Sequence, residues 1–187
     1  MQLHGALVEV HGVGVLLRGP SGIGKSETAL ELVSRGHRLV ADDVVEVERR
    51  SEGVLFGTAL PLIRHHIELR GIGIVDVPEL YGPDSVREEV RVELMCRLEL
   101  WRQDVAYERL GFARPIEVLA RVPLPVVVLA MRPSGNMATL IEVAARDHRM
   151  RSRRDSAAER LDARLRKELA GSPPAEAPPA GEPGTRS

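Results

Sequence analysis

Eight consecutive residues have the types and spacing that bind nucleotide phosphates. The segment "GPSGIGKS" fits the pattern Gly, four residues, Gly-Lys-Ser/Thr in full. Glycines let successive backbone N–H groups turn toward phosphate oxygens, and the following helix directs its positive end at the same anion. We predict that Lys25 reaches the β- and γ-phosphates and that the Ser26 hydroxyl binds magnesium. The predicted phosphate loop is Gly19, Pro20, Ser21, Gly22, Ile23, Gly24, Lys25 and Ser26.

Lysine is rare in this chain, and one of its two copies lies in the phosphate loop. Of the 26 basic residues, only Lys25 and Lys167 are lysines, and the rest are arginines. Arginine carries a planar fork of donors, whereas lysine carries a compact point charge. The retained lysine therefore indicates a chemical demand in the loop that arginine does not meet.

Two further segments carry charges that could do chemistry. Asp42 and Asp43 follow the apolar run "RLVA", and phosphoryl transfer needs a carboxylate to accept the proton of the attacking hydroxyl. A solvated pair at the end of a strand is the ordinary alternative for such aspartates. In "IELRGIGIVDV", Glu68 and Arg70 flank an otherwise apolar strand, where charge is costly unless it is paired or used. That pattern fits a metal site and an edge strand equally well.

The elements around these residues predict an α/β fold with a mixed, strand-rich sheet and flanking helices. Two strands joined at "HGVG" lead into the loop, and a helix follows with Gly36 as its stop signal. Residues 38–48 read as one strand through Asp42 and Asp43, which would point to opposite faces. A hairpin is predicted around Glu52 and Gly53, and residues 65–77 read as a strand pair or as one strand interrupted by glycines.

The second half predicts two strands and two helices. A strand ends near residue 101 with one apolar face, and a second covers residues 126–131. A helix begins near residue 138 and a closing helix covers 156–170. The predicted inward-facing residues of this half are Val92, Leu94, Cys96, Leu98 and Leu100 on the first strand, and Leu140, Ile141, Val143 and Ala144 on the first helix.

Composition narrows the class of protein. A formal net charge of -1 argues against general binding to nucleic acid or membrane surfaces. One cysteine cannot form an internal disulfide, so we expect a packed thiol at Cys96 and a cytoplasmic location. The start shows no signal-peptide pattern, and the longest apolar run is about half of the ~20 residues that span a bilayer. We expect one domain over residues 1–170 and a disordered tail over 171–187, which is rich in proline and alanine.

Taken together, these segments resemble the bacterial HPr kinase/phosphorylase family. The resemblance covers residues 4–165 and is carried by "GKSETALEL", "GHRLVADD", "IELRGIGIVDV", "YERLG" and "NMATLIEVAARDHRM". It implies an enzyme that uses ATP and Mg²⁺ to phosphorylate a serine on an HPr-like phosphocarrier and that can remove the phosphate again. A P-loop kinase domain and a hexameric assembly are implied in the same way.

The resemblance also implies roles for individual residues. Lys25 would be catalytic, and Asp43 would be the general base of phosphorylation and the general acid of the reverse reaction. Glu68 would join Ser26 as a magnesium ligand. By themselves, His4 reads as a surface residue and Arg109 as a solvated helix charge, but the family places both in the active site. The supporting residues are Asp42, Arg70 and Arg132.

The chain departs from the family pattern in three places. It begins at the catalytic domain, where many members have a further N-terminal domain. Pro20 stands where the family has an aspartate, which removes a carboxylate and one backbone donor from the loop. In "AMRPSGN", Gly135 replaces the second arginine of a segment used for dephosphorylation, so we expect the phosphorylase activity to be weak.

Two other functions stay open on the sequence alone. A P-loop kinase on the same scaffold could act on another hydroxyl substrate. A non-catalytic nucleotide sensor could bind partners through "RDHRMRSRRD", although a solvated helix end is the ordinary explanation of such a segment.

Overall fold

The computed structural model describes residues 1–50, 53–105, 107, 114–131, 135–152 and 157–171, without the side chains of 157–158 and 168–171. Eleven strands and four helices lie in these ranges. They are β1 (Gln2–His4), β2 (Ala6–Val10), β3 (Val13–Arg18), α1 (Lys25–Ser34), β4 (Arg38–Ala41), β5 (Val44–Arg50), β6 (Val54–Ala59), β7 (His66–Leu69), β8 (Gly73–Asp76), α2 (Val77–Tyr81), β9 (Glu89–Leu100), β10 (Ile116–Leu119), β11 (Val122–Met131), α3 (Met137–Arg151) and α4 (Ala157–Gly171).

Nine of the described strands form one mixed sheet, and β7 and β8 form a separate antiparallel ribbon. The strand order along the main path is β1-β5-β6-β9-β3-β2-β4, and the long strand β9 is the central strand of this path. β9 runs parallel to both β3 and β11, and its first half pairs antiparallel with β6. β2 pairs antiparallel with both β3 and β4, so β3 and β4 run in the same direction. The phosphate loop and the two aspartates therefore follow strands that end at the same edge.

Two apolar clusters cover the two faces of the sheet. The first packs α1, α3 and the β7–β8 ribbon against β2, β3, β4 and β9, with Leu17, Leu94 and Ile141 fully buried. The buried members of the second cluster all lie on strands, including Leu16 and Met95. β3 is consequently buried on both faces, which fixes the position from which the phosphate loop starts.

Charged side chains fasten the far end of α1 to α3. Arg35, just after α1, donates from Nη1 to Glu142 Oε2 at 3.0 Å, and His37 Nε2 lies 2.9 Å from Glu142 Oε1. His37 is 7% exposed, so this pairing is largely shielded from solvent. Asn136 caps α3 by accepting from the Thr139 backbone N–H at 2.9 Å. The C-terminal end of the helix that carries Lys25 and Ser26 is thus held against α3.

The single strand predicted over residues 38–48 is wrong. β4 ends at Ala41 and β5 begins at Val44, and Asp43 between them has a φ of 64°. This left-handed conformation is tolerated by aspartate and asparagine better than by most residues. The chain turns at the aspartates, so their side chains diverge because of the turn and not because of strand alternation.

Four predicted inward positions also differ from the structure. Val92 is buried in the second cluster and not with Leu94, because the register of β9 on β3 shifts by one residue at Glu93, between Val92 and Leu94. Leu100 is 69% exposed at the end of its strand. On α3, the inward face is formed by Met137, Ala138, Ile141, Ala144 and Ala145, whereas Leu140 and Val143 are 44% and 58% exposed.

Other predictions are confirmed. β2 and β3 form a hairpin, β5 and β6 form another with Gly53 at a φ of 78°, and residues 65–77 are a strand pair. Gly36 ends α1 with a φ of 89°. Cys96 is a buried thiol, and its burial raises the pKa to about 12. Apart from these predictions, none of the helices within the described residues is long and apolar enough to cross a membrane.

Candidate active site

The phosphate loop joins the end of β3 to the start of α1, and most of its residues line a central cavity. Gly22 and Gly24 have φ values of 78° and 95°, in the left-handed region that glycine adopts without strain. Ile23 is buried in the first cluster and anchors the middle of the loop. The glycines therefore turn the backbone while Ile23 fixes it to the core, and the N-terminus of α1 faces the centre.

Pro20 occupies the start of the turn that closes the loop. Its carbonyl accepts from the Ile23 backbone N–H at 3.3 Å, while its own ring is exposed. Proline fixes φ for such a turn but has no N–H to offer a phosphate. Pro20 is therefore compatible with the turn of the loop, but the loop has one backbone N–H donor fewer than it would have with any other residue at this position.

Lys25 lies folded back across the loop. Its Nζ donates to the carbonyl oxygens of Gly19 at 3.1 Å and Pro20 at 2.9 Å, and the residue is only 7% exposed. Burial lowers the pKa of this ammonium, and the nearby carboxylates of Asp42 and Asp43 oppose that shift. The ammonium is thus held at the loop centre, where an anion would meet it.

Ser26 and Asp42 form a pair at the base of the loop. The Ser26 Oγ donates to Asp42 Oδ1 at 3.1 Å, and Asp42 is 5% exposed. Burial raises the pKa of Asp42 to about 6, although the hydrogen bond from Ser26 acts in the opposite direction. Asp42 is therefore not a solvated residue at the end of a strand, which was the alternative that the sequence left open.

Asp43 has a different environment from its neighbour. Its Oδ1 lies 3.1 Å from the Nδ1 of His4, and both side chains are more than half exposed. The Gly5 backbone N–H donates to the Asp43 carbonyl oxygen at 3.0 Å, which ties β1 to the turn and brings His4 alongside. One carboxylate is therefore buried against Ser26, and the other faces solvent with a histidine beside it.

The β7–β8 ribbon supplies the other wall. Glu68 lies on β7, and Arg70 lies in the turn that follows. The Arg70 guanidinium lies over Gly22, with its Nη1 3.0 Å from the position that a Cβ on Gly22 would occupy. Ile67 and Leu69, on the opposite face of β7, are buried in the first cluster and hold the ribbon in place.

These elements enclose one polar cavity of about 200 Å³. An anion is matched by the loop N–H groups, by Lys25 and by Arg70, and a hard cation is matched by the oxygens of Ser26, Asp42 and Glu68. Asp43 and His4 stand at the open side. The lining residues are His4, Ser21, Gly22, Gly24, Lys25, Ser26, Glu27, Asp42, Asp43, Glu68 and Arg70.

A second cavity of about 450 Å³ adjoins the first, and sequence reasoning missed it. His4 lines both cavities, and Arg18, Arg97 and Glu117 give the second one its charge. Arg18 and Arg97 are register partners on β3 and β9, and both pair with Glu117. The sequence signal that could have indicated this cavity is Arg18, which lies at the end of a buried strand, directly before the phosphate loop.

Two predicted site residues, Arg109 and Arg132, lie outside the described residues. Gly135, next to Arg132 in the sequence pattern, is described and is exposed. The remaining predicted residues all lie in or around the first cavity, apart from Gly19 and Pro20, which line the second, and Ile23, which is buried beneath the loop.

The chain is similar to one sequence family, to curated proteins and to a solved structure. Residues 1–165 match the sequence family described as "HPr Serine kinase C-terminal domain". The chain is 47% identical to the HPr kinase/phosphorylase of Exiguobacterium sibiricum over 163 residues, 87% of this chain and 52% of that protein. It is 50% identical to the HPr kinase/phosphorylase of Caldanaerobacter subterraneus subsp. tengcongensis over 167 residues, 89% of this chain and 55% of the relative.

A solved structure is also similar. The Hpr(Ser) kinase/phosphatase from Coxiella burnetii superposes with a TM-score of 0.75 at 31% identity, covering 81% of this chain and 98% of that one. The chain spans about half the length of the curated relatives that it matches.

Proposed function

The chain belongs to the HPr serine kinase C-terminal domain family, and on that premise we propose that it is an ATP- and Mg²⁺-dependent kinase for a serine on an HPr-like phosphocarrier. The observation that carries the proposal is the arrangement of Asp43 beside the phosphate loop, with its carboxylate exposed and 3.1 Å from His4. An exposed carboxylate at the open side of a phosphate site can meet a hydroxyl that another protein presents.

The proposed reaction uses residues on both sides of the cavity. Asp43 takes the proton from the serine Oγ as this oxygen bonds to the γ-phosphorus of ATP, and the bond from that phosphorus to the ADP oxygen breaks. The loop N–H groups and Lys25 hold the phosphates in line, and Arg70 offers a further positive charge. His4 keeps the Asp43 carboxylate oriented. Arg109 retains its family role as an active-site residue in this proposal.

Magnesium fits the oxygen donors that the site provides. Ser26 Oγ and Asp42 Oδ1 lie 3.1 Å apart, and Glu68 lines the same cavity. Serine and carboxylate oxygens are the ligands that magnesium prefers, so Ser26 and Glu68 would hold it with Asp42 in support. When bound, the ion supplies positive charge to the phosphate oxygens. The burial of Asp42 has an evident use here, because a cation would compensate the cost of a charged carboxylate in that position.

The test is direct phosphorylation of the carrier. We expect the protein, ATP, Mg²⁺ and a purified HPr phosphocarrier to give ADP and phosphoserine in equal amounts, measured by coupled ADP release and by mass spectrometry. Binding of ATP without turnover would favour a nucleotide sensor. ADP release with an unlabelled carrier, but with another hydroxyl compound phosphorylated, would favour a different kinase. Mass measurement in solution tests the hexameric assembly and cytoplasmic fractionation tests the location, both of which belong to this proposal.

The reverse reaction gives a second prediction. In phosphorolysis, an inorganic phosphate oxygen attacks the phosphorus of phosphoserine, and the serine oxygen leaves with a proton from Asp43 to give pyrophosphate. Gly135 and the neighbouring Arg132 lie in the segment expected to guide phosphate, and Gly135 offers no guanidinium. We expect Gly135→Arg to raise the phosphorolysis rate about tenfold, the effect of one charge-assisted hydrogen bond of about 1.4 kcal/mol.

The control for that prediction is Gly135→Gln, which adds a long polar side chain without a charge. Pyrophosphate release from phosphorylated carrier is measured in both variants. Equal rates in the two would show that charge at residue 135 does not limit the reverse reaction.

A further inference from the structure

The rim of the catalytic cavity carries an exposed apolar face that the reaction chemistry leaves unused. The tip of the β7–β8 ribbon is a three-residue loop, Arg70 to Ile72, between the last paired residues Leu69 and Gly73. Ile72 is 75% exposed and Ile74 is 73% exposed. We call Ile72 and Ile74 the ribbon face. These two isoleucines, with most of their surface in water, form an apolar surface next to a polar site.

The ribbon face is continuous with the cavity wall. Ile74 is the register partner of Glu68, and directly opposed residues of an antiparallel pair point to the same side. Ile74 therefore stands beside Glu68 on the cavity side of the ribbon. Arg70, from the same tip as Ile72, reaches over Gly22 of the phosphate loop. The opposite side of the ribbon is already used, because Ile67 and Leu69 are buried in the core.

Two ion pairs lie at the base of the ribbon, at the end away from its tip. His66 Nε2 lies 3.7 Å from Asp76 Oδ2 on the adjoining strand ends, and Arg64 Nη1 lies 2.5 Å from Glu88 Oε2. Nearer the tip, Glu68 and Arg70 line the catalytic cavity, so the ribbon presents both charged and apolar side chains beside it.

Resting on the function proposed above, we infer that the ribbon face is a docking surface for the acceptor protein, which it contacts through an apolar patch beside the acceptor serine. A cavity of about 200 Å³ admits phosphates and a hydroxyl group, but it does not admit a folded protein. A serine side chain is one carbon long, so the acceptor backbone must come to the cavity mouth. The body of the acceptor then lies on the rim, and the ribbon face is an apolar surface at that rim. A small hydroxyl compound would need no such surface.

The test is the double variant Ile72→Ser/Ile74→Thr, in which threonine keeps a β-branched residue in the strand. We expect the KM for a purified HPr phosphocarrier to rise about tenfold or more, because the apolar contacts of two isoleucines are lost; tenfold is about 1.4 kcal/mol. The kcat at saturating carrier and the affinity for a fluorescent ATP analogue should stay within about twofold. Ile72→Lys alone is a second variant at the ribbon tip.

The matched control is Met150→Ser, which removes an exposed apolar side chain at the far end of α3 and should leave the KM unchanged. Met150 is 53% exposed, and its neighbour Arg149 bonds the β2–β3 turn, at the opposite end of β3 from the phosphate loop. An unchanged KM in the double variant, with an active parent, would overturn the docking surface alone. A change in solution mass in the variant would overturn it too, because the face would then join copies of this chain. A parent that does not phosphorylate the carrier would overturn the proposed function and the inference with it.

Discussion

Replacing Asp43 by asparagine is expected to lower the rate of phosphoryl transfer about 10³-fold, within the range that general-base catalysis contributes. An amide cannot accept the serine proton, but it keeps the shape of the side chain and an oxygen facing His4. Asparagine also tolerates the φ of 64° at this position, whereas alanine there would be strained. The rate is measured as phosphoserine formed on the carrier at saturating ATP and Mg²⁺.

The control separates loss of the base from loss of the site. The affinity for a fluorescent ATP analogue should change little in Asp43→Asn, because the loop, Lys25 and Ser26 are untouched. Asp84→Asn changes an exposed carboxylate of the same type away from the cavity and should keep the parent rate. Transfer near the parent rate in Asp43→Asn would remove this residue from the mechanism.

Replacing Lys25 by arginine is expected to lower kcat/KM for ATP by about 10² to 10³, although the charge is kept. The ammonium fits between the carbonyl oxygens of Gly19 and Pro20 at 3.1 and 2.9 Å in a nearly buried position. A guanidinium is larger and planar, so it cannot occupy that point and turn toward a phosphate with the same contacts. Steady-state kinetics with varied ATP measure the effect, and ATP-analogue binding shows how much of it is lost affinity.

The second lysine of the chain provides the control. Lys167 lies on α4 and is exposed, so Lys167→Arg makes the same chemical change outside the cavity and should leave kcat/KM unaltered. If Lys25→Arg kept most of the parent activity, charge alone would be sufficient in the loop. The rarity of lysine in this sequence would then carry no chemical meaning.

The phosphate loop could be predicted from the sequence because its chemistry is local. Backbone N–H groups, Lys25 and Ser26 lie within eight consecutive residues, so spacing along the chain is also spacing in space. The strands and helices around it follow from apolar periods of two and 3.6 residues. The family could also be predicted from the sequence, because the longer segments that resemble it contain enough matching residues to distinguish this family from other proteins with a phosphate loop.

Other parts of the site depended on contacts that no local pattern contains. His4 meets Asp43 because the backbone of Gly5 bonds to the carbonyl of Asp43, which joins residues far apart in the chain. The second cavity needs arginines from two parallel strands and Glu117 from a third. Leu140 and Val143 have the same apolar character as Ile141, but the contacts of α3 decided which of them are buried.

The two adjacent aspartates show most clearly which properties the sequence determined and which the tertiary structure decided. The sequence determined that a carboxylate pair follows the strand after the phosphate loop, at the edge where phosphates bind. Only the tertiary structure decided that Asp42 is buried against Ser26 and that Asp43 faces solvent beside His4. The reason is physical: the left-handed turn at Asp43 separates two strands, and burial depends on what the rest of the chain packs against each side chain.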